Sequence, residues 1–331
     1  MEKEALYFPY IRVPQDAWFQ RVLLYWDTVG TIVPFDAPLL LGEHTTELVH
    51  AGLVRPVHPG EYINDIGGFQ DRFFALIDGE EAIQRRRGSV LDQEDVKQIH
   101  VDKMGDMICE GLASRGLGRP AENGEREYWW DLESRTADVF MAYLAAELGA
   151  LEELNMDPVT DEANLFVPEP DTPISRAEQL RLGVLEAVLP APQEVVPISE
   201  LAAFKEKHGG RLAAFRTRIE EELLQIALIE DEETRLRQKS LTEARLRSEV
   251  EEISAEMTER RWPKVIFGTV CGLVGVGTAA GAAVVTGGAG IALAAPGLIG
   301  AAYAAVEGFP ARKVPSSPLA YAALARTNLT G

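Results

Sequence analysis

Residues 5–34 read ALYFPYIRVPQDAWFQRVLLYWDTVGTIVP, and this stretch sets the fold class. Ala5–Tyr10 is apolar and aromatic and stops near Pro14, the pattern of a strand. Pro14, Gln15 and Asp16 then open a helix. Trp18, Val22 and Tyr25 fall at i, i+4 and i+7, and Phe19, Leu23 and Trp26 repeat that spacing one residue later. Gly30 ends the helix, and Thr31–Val33 forms a short apolar strand closed by Pro34. Strand, helix and strand in this order predict a parallel pair joined by a crossover.

Working outward, the cycle repeats. Thr45–Ala51 reads as a short helix ended by Gly52, and Leu53–Val57 as a strand ended by Pro59. Glu61–Arg87 is mostly helical, and Val96–Val101 can form a further strand. Asp106–Ser114 is a helix, Tyr128–Trp130 a strand, and Arg135–Leu154 a helix with Val139, Tyr143, Ala146 and Ala150 on one stripe. Residues 157–175, rich in Pro and Asp, read as a surface loop, and Leu182–Leu189 as a last strand closed by Pro190 and Pro192. The expected fold class is α/β, with a parallel or mixed sheet flanked by helices.

The composition changes after Ile198. Arg211–Trp262 holds no Pro or Gly, and 23 of its 52 residues are charged. Leu212, Phe215, Ile219, Ile226 and Ile229 form an apolar stripe that weakens across Glu230–Glu233. It resumes in a new register at Leu246, Val250, Ile253 and Met257. Ser240-Leu-Thr-Glu243 has the form of a capping box, so a break is expected there. A strict coiled coil needs an unbroken heptad, so a long amphipathic helix or a helical hairpin is expected instead.

Val265–Val306 is the third region. The run is 42 residues long without a charge, and 22 of them are Gly or Ala. That length covers a bilayer core twice at roughly 20 residues per crossing. Arg260, Arg261 and Lys264 precede it, and Arg312 and Lys313 follow it, as expected of a hairpin with both ends on the cytoplasmic side. Val265–Val285 and Ile291–Phe309, the latter containing Pro296, would be the two spans. Gly268-x-x-x-Gly272 and Gly277-x-x-x-Gly281 are small-residue spacings that let helices approach closely. The rival reading is a Gly/Ala-rich hairpin buried in a soluble protein or homo-oligomer, because Ala and Gly drive insertion weakly. The organisation expected is an α/β domain at 1–195, a charged helical region at 196–262, the hairpin at 263–310 and a tail at 311–331.

Charge narrows the partners. The chain has 331 residues and a formal net charge of −20, which argues against nucleic acid, whose phosphates need clustered Lys and Arg. Residues 122–171 carry fourteen Asp and Glu against two Arg, an acidic face that keeps the protein soluble. Cys109 and Cys271 are far apart and outside any CxxC pattern, so neither a disulfide framework nor a Cys-based zinc site is expected. The N-terminus, MEKEALYFPY, has no basic region followed by an apolar run, and no cleavable signal peptide is expected.

Ala5-Leu-Tyr-Phe-Pro-Tyr10, Trp18, Leu24-Tyr-Trp-Asp27 and Ile32-Val-Pro34 resemble the start of an uncharacterised bacterial family. That family is common in actinomycetes and is known as domain of unknown function 6236. Phe140-Met-Ala-Tyr-Leu-Ala145 and Pro158-Val-Thr-Asp161 resemble its middle, so the likeness covers roughly residues 5–230. It implies an intracellular bacterial protein and supplies no activity, cofactor or catalytic residue.

In parallel α/β sheets, ligands bind beyond the C-terminal strand ends. The polar residues just past the expected ends are Arg12, Asp36, His58, Asp102 with Lys103, Asp131 and Asp161, with His100 at the end of its own strand. Asp36, His58, His100, Asp102 and Asp161 are the candidates for acid–base work or a metal. Turns after strands favour Asp in any case. His44, Glu47 and His50 fall at i, i+3 and i+6 of one helix, but the second Glu-x-x-His of a di-metal bundle is missing, and a solvated face is expected. Gly275-Val-Gly277-Thr-Ala-Ala-Gly281 nearly matches a dinucleotide loop, but has three residues before its last Gly where two are needed. No cofactor is expected. The functional expectation is a binding, sensing or effector protein at the cytoplasmic face of a membrane, or inserting conditionally, in a defence or toxin setting. The alternative is a soluble α/β enzyme or small-molecule-binding protein.

Overall fold

The computed structural model describes residues 3–35, 40–85, 96–121, 128–162, 173–189, 196–259 and 316–329. Asp36 and the whole run Val265–Phe309, with Gly268, Gly272, Gly277, Gly281, Ile291 and Pro296, lie outside them.

Four strands form a parallel sheet: β1 (Glu4–Tyr7), β2 (Thr28–Ile32), β3 (Val54–Val57) and β7 (Met156–Val159), in the order β3-β2-β1-β7. The first crossover is α1 (Ala17–Tyr25), and Asp16 caps it by accepting the Phe19 amide at 2.9 Å. The second is α2 (Gly42–His50). Successive strand residues point to opposite faces. Ala5, Tyr7 and Val29 therefore enter one core, and Leu6, Ile32 and Val57 enter another. In the middle of β2 the face is crowded by side chains of β3 and β7: a Cβ on Gly30 would meet Met156 Cε and Val57 Cγ2 at 2.9 Å each.

Between β3 and β7 the chain makes α3 (Phe69–Ile77), α4 (Glu80–Arg85), β4 (Val96–His100), α5 (Val101–Met104) and α6 (Asp106–Ser114). β5 (Gly118–Pro120), β6 (Trp129–Glu133) and α7 (Ser134–Gly149) follow. β4, β6 and β5 form a separate antiparallel sheet in that order. This corrects the expectation that these segments continue the parallel alternation. β5 and β6 are too close in sequence for the crossover that a parallel pair needs, so they pair antiparallel, and β4 adds to the other edge of β6.

After β7 the chain is helical: α8 (Pro173–Val188), α9 (Ile198–His208), α10 (Leu212–Ala227), α11 (Glu232–Glu259) and α12 (Ala320–Leu329). These helices share one core with α1 and with Ala5, Tyr7 and Val29 of the sheet. Two expectations are corrected here. Leu182–Leu189 is not a strand but lies in α8 up to Val188, because Ala177, Leu180, Val184 and Val188 make a buried helical stripe. The break at Ser240 does not occur, because the Ser240 hydroxyl donates back to the Leu236 carbonyl at 3.1 Å inside a continuous α11. The interruption falls at residues 228–231, where the apolar stripe weakens. Among the described residues no helix is long and apolar enough to cross a membrane.

Tyr25 at the end of α1, with Trp26 and Asp27 before β2, ties the helical layer to the sheet. Arg216 donates through Nε to the Tyr25 carbonyl at 2.6 Å and through Nη1 to Asp27 Oδ2 at 2.7 Å. Lys205 Nζ donates to the carbonyls of Trp26 and Asp27 at 2.8 and 2.7 Å. Beside them, Arg181 forms a two-pronged pair with Glu220 at 2.9 and 3.1 Å, and the Tyr25 hydroxyl donates to the same carboxylate at 2.6 Å.

Candidate ligand-binding site

The order β3-β2-β1-β7 places a change of winding direction between β1 and β7. The crevice outside the carboxyl ends of these strands is where doubly wound sheets hold ligands. The residues leaving β1 are Phe8 to Arg12, and those leaving β7 are Thr160, Asp161 and Glu162. Two hydrogen bonds join the two exits: the Tyr7 hydroxyl donates to Asp161 Oδ1 at 3.0 Å, and the Tyr10 hydroxyl to Glu162 Oε1 at 2.7 Å. The Thr31 hydroxyl donates to the Ile11 carbonyl at 2.9 Å and holds the β1 exit against β2.

A cavity of about 760 Å³ opens beside this exit. One wall is the loop Pro9–Arg12, the second is Lys97–His100 of β4, and the third is Ala137, Asp138 and Met141 of α7. Trp129 and Lys103 complete it. β4 is an edge strand of its sheet, which leaves its outer side to the cavity. Its volume is in the range of small-molecule sites.

The charges inside are unequal. Arg12 is exposed and donates through Nε to the Leu40 carbonyl at 2.9 Å. Lys97 Nζ pairs with Asp138 Oδ1 at 2.5 Å. Burial raises the Asp138 carboxyl above its ordinary value, even against the pull of Lys97. Lys103 is 4% exposed, and among the described residues no carboxylate pairs with it. Burial alone pushes its amine down to about 7. Asp102, its neighbour in sequence, is turned elsewhere: Oδ2 accepts the Phe35 amide at 3.2 Å and lies 3.6 Å from His100 Nδ1. His100 Nδ1 accepts the Asp102 amide at 3.3 Å, so Nε2 is its protonated nitrogen in the neutral ring. The His100 ring stands edge-to-face on Trp129 at 5.3 Å.

The five sequence candidates therefore have different places. His100 lines the cavity, and Asp102 holds the turn beside it. Asp161 accepts Tyr7 at the adjoining crevice and is not on the cavity wall. His58 Nδ1 faces the Val33 carbonyl at 3.1 Å, with its ring 5.1 Å from Phe35, also off the wall. Asp36 lies outside the described residues. Arg12 and Lys103, singled out as polar residues past strand ends, do line the cavity. Tyr10, Lys97, Trp129 and Asp138 were missed. Val96-Lys-Gln-Ile-His100 has no apolar–polar alternation, so β4 gave no sign in the sequence of which side faces a cavity. His44, Glu47 and His50 form no metal cluster; among the described residues no group of three His, Cys, Asp or Glu could hold a metal ion. The glycine run 275–281 lies outside the described residues.

Residues 148–330, more than half of the chain, match the model of a family of unknown function (DUF6236). The match covers β7 and the helices α8 to α12, and so overlaps the likeness at residues 5–230 only in part. The cavity walls, drawn from residues 9–141, lie before it. Comparison with curated proteins and with solved structures gives no match.

Proposed function

From the premise that the chain belongs to that family of unknown function, we propose that it binds a small anionic molecule in the cavity between β1, β4 and α7. One observation carries this reading. In a chain of net charge −20, the described residues lining this cavity include three basic side chains, Arg12, Lys97 and Lys103, and one carboxylate, Asp138. Lys103 is the telling member, since among the described residues no carboxylate pairs with it, and a buried charged amine is costly unless a ligand supplies the counter-charge. Trp129, Ile99 and Met141 add apolar surface suited to a flat organic body.

Titration calorimetry with benzoate and phenyl phosphate, against neutral benzamide, tests the reading. The two anions should bind and benzamide should not, and Arg12→Ala with Lys103→Met should abolish binding. Equal behaviour of anions and benzamide, or anion binding unchanged in the double variant, would contradict it.

We propose membrane contact as a second property, supported by the charge-free run at Val265–Val306 and its basic flanks. Fractionation of the expressed protein with and without residues 264–310 tests it. Full-length protein that stays in the supernatant with lipid vesicles present would remove this reading.

A further inference from the structure

We propose that Lys103 is a covalent nucleophile, which captures the carbonyl carbon of an anionic aldehyde or ketone as an imine inside this cavity. The inference deepens the anion-binding reading and rests on it. Its starting point is how the neighbouring charges are disposed. Asp102, next to Lys103 in sequence, and Asp138, the carboxylate on the described cavity wall, are engaged by other groups. Asp102 holds the Phe35 amide, and Asp138 holds Lys97. Arg12, Lys97 and His100 line the same cavity as Lys103, with the Tyr10 hydroxyl turned to Glu162.

A side chain that only filled space here would be apolar, because a lysine loses its hydration on burial and receives nothing in return. What burial does give is an amine with a substantial neutral fraction near pH 7, the reactive form of a lysine toward carbonyl carbon. A lysine amine is compact and carries its lone pair at the end of a flexible stem, whereas an arginine at the same place would stay protonated. Arg12, at the open side of the cavity, and Lys97 are the cations left to hold the anionic group of the same molecule.

The step balances without a further reactant. The Nζ lone pair forms a bond to the carbonyl carbon, and the carbonyl oxygen takes up a proton as the nitrogen gives one up, leaving a carbinolamine. The C–O bond then breaks, the hydroxyl departs as water with a second proton, and a C=N bond remains. Amine and carbonyl become imine and one water, with no oxidation or reduction. His100 and Asp138 are the cavity groups that can exchange protons with the departing oxygen.

Reductive trapping tests this on the full chain. The probe is 4-formylbenzoate, an aromatic aldehyde with one carboxylate, reduced in place with sodium cyanoborohydride at pH 7.5 and located by peptide mass spectrometry. Its unreactive counterpart, 4-(hydroxymethyl)benzoate, is titrated in parallel by calorimetry. Lys103 should take at least tenfold more label than any surface lysine, and excess 4-(hydroxymethyl)benzoate should suppress the reaction. Lys103→Arg should lose the label. Label spread evenly over the lysines, with 4-(hydroxymethyl)benzoate still bound, would overturn the imine and leave the anion site standing. Failure of both compounds to bind would overturn both. If Lys103→Arg is poorly folded, the suppression experiment on the unaltered protein decides alone.

Discussion

The Tyr7 hydroxyl lies 3.0 Å from Asp161 Oδ1, and this contact fastens the ends of two adjacent parallel strands that are 154 residues apart in the chain. Tyr7 is 1% exposed, and both burial and the Asp161 charge raise its phenol far above the ordinary value, so it stays a donor at every pH the fold survives. The bond closes the bottom of the crevice at the change of winding direction. Tyr7→Phe should cost about 1 kcal/mol, the net worth of such a bond to an exposed acceptor. Urea unfolding should show the lower midpoint with an unchanged slope. A loss above 3 kcal/mol would mean that the hydroxyl also holds something else.

The second prediction concerns the clamp between helical layer and sheet. Arg216 has 7% of its side chain exposed and Asp27 has 32%. Removing one partner of a fully buried pair costs about 3–5 kcal/mol. The exposure of Asp27 screens part of that. Arg216→Met should therefore lose about 2–3 kcal/mol by denaturant unfolding. Arg326→Ala, whose partner Glu251 is exposed, should lose less than about 0.5 kcal/mol.

Acid stability follows from the same region. Burial by itself would raise Asp27, but hydrogen bonds from Arg216 and the Lys3 amide outweigh it and hold the carboxyl below its ordinary 3.8. Glu220 is likewise opposed by burial and held below its ordinary 4.5, by Arg181 and Tyr25. A depressed carboxyl means that the unfolded chain binds more protons. The stabilisation is then complete above about pH 5 and drains away as pH falls through 4.5 and 3.8 toward the folded values. Glu220→Gln should be less stable at pH 7 and show a flatter loss between pH 5 and 3. A parallel pair of stability curves would contradict the assignment.

Lys103 gives the opposite slope. Its amine is pushed down to about 7 from an ordinary 10.5, so the unfolded chain binds the extra proton between these values. The burial penalty is full below pH 7 and is relieved as pH rises from 7 toward 10.5. Each unit of such a shift is worth about 1.4 kcal/mol. Lys103→Met should therefore stabilise the fold at pH 6, and its advantage should shrink toward pH 10. Thermal unfolding across that range reads it directly. An anionic ligand bound beside the amine should reduce the Lys103→Met advantage at pH 6.

Much of the parallel sheet was legible because its crossover helices are amphipathic and its first three strands are followed by Pro9, Pro34 and Pro59, although Gly30, expected to end the first helix, lies inside β2, which begins at Thr28. Ala5–Tyr7, the helix through Tyr25 and Val54–Val57 stand close to where the pattern puts them. β7 was hidden because Met156-Asp-Pro-Val159 is short and leads into a Pro- and Asp-rich segment, and its strand character comes from pairing with β1. The apolar run of α8 beside two prolines read as a strand because its helical stripe is set by partners on α10 and α11. The direction of β4 and β6 was not readable, since pairing between Val96 and Glu133 is a long-range choice. The cavity was half legible for the same reason. Arg12, His100 and Lys103 follow strands, a position with known chemical consequences, whereas Asp138 and Trp129 reach the site only through the antiparallel sheet and α7.

Crystals of the full-length protein soaked in 4-bromobenzoate test the anion site most directly, because bromine can be located by its anomalous scattering. The expected result is a bromine peak inside the cavity lined by Tyr10, Trp129 and Met141, with the carboxylate turned to Arg12 or Lys103. A peak at that place should vanish in Arg12→Ala with Lys103→Met. Bromine found only on the outer surface, with none in the cavity at a concentration that saturates other sites, would contradict the assignment of an anion site there.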